Sequence, residues 1–141
     1  MAEERGNTPS LDRHFTKYLG FQTRSPDPGR TTVELQLKPH HLNIAGAVHG
    51  GLYMTLLDSL MGHAAITCLD NRAAPVATSS MTTHFLEAMD RGRVIGTGRV
   101  ITLSEKYITA EAELRDESGR LIATAEAIFT RVRSDAKVGA A

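Results

Sequence analysis

The sequence predicts an α+β domain in which a curved antiparallel sheet wraps around one long central helix. Three observations carry this reading. The stretch from Gly50 to Leu69, GGLYMTLLDSLMGHAAITCL, is apolar nearly all round, and a helix of that kind must be covered on most sides. A cleanly alternating run precedes it, and four strand-like runs follow it, joined by short turns of hairpin type. A sheet curved about the helix supplies the cover.

The elements follow in order. Residues 1–10 and the tail 134–141 are polar or small and read as disordered, flanking a single domain over 11–133. Ser10 is placed as the N-cap of a short helix with Leu11, Phe15 and Leu19 at i, i+4 and i+8. A short strand is expected from Tyr18 to Arg24, then a turn at Ser25 to Gly29, reading SPDPG. From Thr31 to Lys38, Val33, Leu35 and Leu37 alternate with Glu34, Gln36 and Lys38, the mark of a half-buried strand. Pro39 ends it, and HHLNIAGAVHGG leads into the long helix. DNRAAP then makes a loop. Strands are expected over 76–86, 93–103, 107–115 and 121–133, linked by DRG, SEK and DESGR.

Composition narrows the function. The chain has 141 residues, with 16 basic and 16 acidic side chains, so it lacks the basic excess of a nucleic-acid binder. Its one cysteine, Cys68, excludes an internal disulfide and suits a reducing compartment, here expected to be cytoplasmic. MAEERGNTPS has no apolar core and predicts no secretory signal. Membrane insertion of the Gly50–Leu69 stretch is not expected, because Asp58 and His63 would sit at membrane depth.

The chemistry centres on that helix. Asp58 is its single carboxylate; ionised, it could act as general base on water or attack a thioester directly. The alternative is an acid satisfied by local hydrogen bonds. Gly50 and Gly51 lie at the helix start, where unpaired N–H groups and the positive dipole end could form an oxyanion hole, or where the glycines simply permit a tight turn. Eight positions separate Gly50 from Asp58, about 12 Å of helix. A reacting carbonyl must lie within about 3 Å of both. One helix cannot supply both, so each site would take its donor from one subunit and its acid from another.

Asn43 precedes the helix and could orient substrate or water, or serve as a turn residue. Thr78, Ser80, Thr82 and His84 form a polar stripe that is either solvated or faces a cleft. Tyr53, Met54, Met81 and Phe85 are candidates to line a pocket or simply to fill the core. His40, His41 and His49 match no zinc spacing, and no cysteine assists them, so no metal is expected. Gly96 and Gly98 fall inside a strand pattern and make no nucleotide loop.

The stretch NIAGAVHGGLYMTLLDS, followed by TSSMTTHFLEAMDRG, resembles the hotdog-fold acyl-CoA thioesterases of the phenylacetate-degradation type, which are related to the 4-hydroxybenzoyl-CoA thioesterases. The likeness runs from about Phe15 to Arg133. It implies that Asp58 is the catalytic carboxylate, that Gly50 is the backbone donor to the thioester carbonyl, that Asn43 supports the carbonyl or orients water, and that Thr78 helps hold the water. It also implies sites built across a dimer interface, often with dimers paired into tetramers. Two departures bear on substrate choice: the usual Phe-Leu-x-Pro-Ala reads Phe85-Leu86-Glu87-Ala88-Met89, and the helix acid is Asp where the 4-hydroxybenzoyl branch has Glu.

The expected activity is hydrolysis of an acyl- or aryl-CoA thioester to a carboxylic acid and free CoA, with no metal or organic cofactor. His49, Gly51, Tyr53 and Met54 are expected to contact substrate, and Arg91, Arg93 and Lys106 to meet the CoA phosphates. The alternatives are a hydratase or dehydratase on acyl thioesters, with His49 as its histidine, and a non-catalytic acyl-CoA-binding protein. Neither a Gly-His-Phe-Pro signature nor a basic helix-turn-helix is present to favour them.

Overall fold

A computed structural model describes residues 7–70 and 75–132. In chain order the elements are β1 (Thr8–Pro9), α1 (Phe15–Leu19), β2 (Arg24–Asp27), β3 (Arg30–Gln36), a 3₁₀ turn at Pro39–His41, α2 (Gly50–Thr67), β4 (Val76–Phe85), β5 (Arg93–Leu103), β6 (Tyr107–Arg115) and β7 (Leu121–Arg131). The strands form one antiparallel sheet in the order β1-β2-β3-β5-β6-β7-β4. α2 packs against β2 through β7, so the expected sheet curved around one helix is what the chain adopts.

The sheet closes on α2 because its inner face is made of small residues where the helix comes nearest. Ala110, Ala112, Ala123, Ala125 and Ala127 are buried on β6 and β7. On β5, a Cβ at Gly96 would lie 2.8 Å from Leu60 Cδ1, and one at Gly98 would lie 2.7 Å from Thr31 Oγ1. Leu56, Leu57, Leu60 and Met61 are fully enclosed there. Thr31 Oγ1 donates to the Leu60 carbonyl at 2.7 Å, so β3 also holds the helix by a hydrogen bond. Among the described residues, no helix is long and apolar enough to cross a membrane.

β5 and β6 occupy the expected spans; other boundaries move. Inside the segment expected to be a disordered tail, Thr8 and Pro9 pair with Ser25 and Arg24. Ser10 does not cap α1, which begins at Phe15 after His14. Its Oγ instead accepts from Asp12 N–H at 3.1 Å, and Asp12 Oδ1 accepts from His14 N–H at 3.1 Å, so local side-chain turns take the place of a first helical turn. β2 starts at Arg24 and takes in Ser25 and Pro26, which shrinks the expected turn to Pro28 and Gly29, the latter at φ 81°. Residues 71–74 of the expected DNRAAP loop, residues 1–6 and residues 133–141 lie outside the described residues.

Candidate active site

α2 is buried except at its first residue, Gly50, and along one stripe, Gly51, Met54, Thr55, Asp58, Ser59, Gly62 and Ile66. Asp58 is on this stripe, so the acid faces a cleft and is not sealed in the core. Two adjoining cavities meet at it. One, of about 360 Å³, runs between α2, the N-terminal arm and the start of β4. The other, of about 370 Å³, lies towards Met54 and Met81. Asp12, Thr16, Ser59 and Thr78 border both.

Thr78 Oγ1 donates to Asp58 Oδ1 at 2.8 Å. This contact depends on a β-bulge. Thr78 is opposite Phe129 and Ser80 opposite Ile128, leaving Ser79 as the extra residue. The expected stripe of Thr78, Ser80, Thr82 and His84 is therefore broken. Thr78 turns inward with Met81 and Phe85, while Ser80, Thr82 and His84 face the outer side. Bulges commonly re-aim a side chain next to a functional group.

The Gly50 end is built differently from the expectation. His49 is the N-cap of α2, and its Nδ1 accepts from Gly51 N–H at 2.8 Å. Gly51 is thus committed to the cap, and a Cβ there would fall 2.9 Å from that same Nδ1. Gly50 N–H has no hydrogen-bond partner among the described residues. The edge of the Phe85 ring lies 3.5 Å from where a Gly50 Cβ would be. One donor therefore remains at the helix N-terminus, and neither Gly50 nor Asn43 borders the cavities at Asp58.

Asn43 is exposed, and its Oδ1 accepts from Ala45 N–H at 2.9 Å and Ala47 N–H at 3.1 Å, bracing the loop before α2. Its amide NH₂ is the part left to meet a ligand. Tyr53 is buried against Phe85, with ring centroids 6.4 Å apart. Its hydroxyl is enclosed beside the Met89 backbone, and burial pushes its pKa up to about 12. Met54 is 40% exposed and lines the cleft. Of the other histidines, His41 is tied to Lys38 N–H and the Leu19 carbonyl, at 2.9 and 2.8 Å.

The three cations expected for the CoA phosphates are not brought together. Arg91 pairs with Asp90, and Arg93 pairs with Glu34 at 3.1 Å, both at the β4–β5 end. Lys106 lies over the Tyr107 ring, 5.4 Å from its centroid, at the far end of β5, about 35 Å along the strand. The residues that sequence reading missed are those of the N-terminal arm, Thr8 to Asp12, which wall the Asp58 cavity. So does His63, whose Nδ1 meets Thr23 Oγ1 at 2.9 Å. The arm's polar composition gave no signal of a wall, and its one cue was the pair of local turn formers, Ser10 and Asp12.

Comparison with known proteins adds to this geometry. The thioesterase superfamily model matches residues 45–123. A provisionally named esterase of Saccharolobus solfataricus is 32% identical over 109 residues, covering 77% of this chain and 76% of its own. Human acyl-coenzyme A thioesterase 13 is 28% identical over 79% of this chain and 80% of its own. The structure of a mutant phenylacetic acid degradation protein PaaI from Thermus thermophilus superposes with a TM-score of 0.76 at 26% identity, covering 85% of this chain and all of that one.

Proposed function

Since the chain belongs to the thioesterase superfamily and has the hotdog fold, we propose that it hydrolyses an acyl- or aryl-CoA thioester to a carboxylic acid and free CoA. The observation that carries this is Asp58: a carboxylate on the one open stripe of a buried helix, held at one oxygen by Thr78 and facing a cleft. The reading fits what each group can do. The thioester oxygen accepts from Gly50 N–H at the positive end of α2, where negative charge develops as the carbonyl is attacked. Asp58 removes a proton from water as its oxygen bonds to the carbonyl carbon. The C–S bond then breaks, and the thiolate leaves with the proton returned to it.

Within one chain Gly50 and Asp58 are separated by about 12 Å of unbroken helix. The proposal therefore pairs two copies, each lending its helix start to the acid of the other. Two features support this. β4 is an edge strand of ten residues exposed along most of its length, the kind of edge that accepts another strand. Met54 stands open on the same side as Asp58. Dimers, or dimers of dimers, in the cytoplasm complete the proposal; the single unpaired Cys68 suits that compartment. The hydratase alternative would need His49, whose Nδ1 is spent on the helix cap.

The test is release of free thiol from a panel of acyl-CoA esters. Asp58→Asn lowers kcat by about 10²- to 10⁴-fold, the range of general acid–base catalysis. Unchanged turnover in that variant would remove Asp58 from the reaction.

A further inference from the structure

The cavity beside Asp58 extends along α2 away from Gly50. Its walls are apolar at Leu11, Ile66, Val76 and Phe129, and Gly62 lies between Asp58 and Ile66 on the open face of the helix. Gly62 needs an explanation, because glycine is the least favourable helix residue after proline. Backbone conformation does not supply one, since Gly62 is not among the glycines with positive φ. Close packing does not either. A Cβ at Gly62 would meet the Phe129 ring edge at 3.5 Å, an ordinary contact, unlike the clashes at Gly96 and Gly98. What a side chain there would do is occupy the chamber.

We propose that Gly62 sets the size of the acyl group by keeping this chamber open to its tail; the proposal rests on the thioesterase reading above. Asp58 and Gly62 are four residues apart, so they share a helix face about 6 Å apart along the axis. A two-carbon acyl group attacked at Asp58 ends short of Gly62, whereas an eight-carbon chain lies across it. The volume of about 360 Å³ is at the small end of ligand pockets. Asp12 and Asp58 border the chamber, and no lysine or arginine does among the described residues, so it suits an uncharged tail. The occupant that fits is a neutral acyl chain of medium length.

Gly62→Ala and Gly62→Leu test this, and both replace glycine by a strong helix former. Thiol release is measured with acetyl-CoA and octanoyl-CoA. Equilibrium binding is measured with the non-hydrolysable thioethers S-ethyl-CoA and S-octyl-CoA. Gly62→Leu is expected to lower kcat/KM for octanoyl-CoA about tenfold or more and to weaken S-octyl-CoA binding in step, with acetyl-CoA held within about threefold. Gly62→Ala falls between and carries the test if the leucine variant does not fold. Equal losses on both esters, or octanoyl turnover retained in both variants, would overturn the proposal. A wild-type protein that hydrolyses neither ester, yet prefers S-octyl-CoA until Gly62 is enlarged, would refute the hydrolase reading and keep the chamber. A wild type that binds the two thioethers equally would refute the chamber.

Discussion

Thr78 and Asp58 show how much of this site depends on a single hydrogen bond. An ionised carboxylate accepts more strongly than a neutral group, and a bond to a charged partner contributes about 1.5–3 kcal/mol. The Thr78 hydroxyl fixes Oδ1 and leaves the other oxygen for a substrate water. Thr78→Val keeps the shape and the β-propensity of the strand but removes the donor. Its expected result is a fall in kcat of about tenfold or more, with KM little changed, and Thr78→Ser restores most of the rate. If the hydroxyl serves only to hold the strand, the variant loses thermal stability and its turnover stays at the wild-type level. Tyr53 makes the contrasting case. Its hydroxyl is enclosed beside the Met89 backbone, and it borders neither cavity at Asp58, so its part is in packing against Phe85.

At the scale of elements, α2 is held by features of opposite kinds at its two ends of the open stripe. His49→Ala removes the cap on Gly51 N–H and is expected to cost about 1 kcal/mol, lowering Tm by about 4 °C. Gly62→Ala is expected to raise stability by up to about 1 kcal/mol, because its methyl would meet the Phe129 ring edge at 3.5 Å, an ordinary contact and no clash. Thermal melts at one fixed protein concentration compare the two. The same elements show what could be read from residues alone. β5 and β6 were legible to the residue because alternation and hairpin turns are local signals. α2 was legible as an element from its apolar circumference, though the helix ends at Thr67, two residues before the apolar stretch does. The bulge at Ser79 was not, since it exists only in the pairing of β4 with β7, whose partner residues are distant in sequence. The N-terminal arm was missed for a similar reason. Thr8 and Pro9 are ordered by pairing with β2, and their own composition resembles any polar tail.

On the scale of the whole molecule, the proposed dimer builds each site from two chains, because one chain holds its donor and its acid apart along α2. The acid with its threonine lies mid-helix beside the cleft, and the Gly50 N–H, without a hydrogen-bond partner among the described residues, lies at the helix start. A mixture of two crippled chains separates a shared site from a self-contained one. Asp58→Asn removes the acid. Gly50→Pro removes the donor with little harm to the helix, for proline is favoured at the first helical position. His49, at φ −63° and ψ 130°, already has the extended conformation that a residue before proline requires. Loss of one oxyanion donor lowers kcat by about 10²- to 10³-fold, so each variant alone is nearly inactive. In a dimer of one chain of each kind, one site is assembled from the intact donor of the first and the intact acid of the second; the other site has neither. Random exchange makes half of the dimers mixed, so co-refolding equal amounts is expected to recover about a quarter of wild-type activity. Sites complete within single chains would recover nothing, because every chain in the mixture carries one lesion.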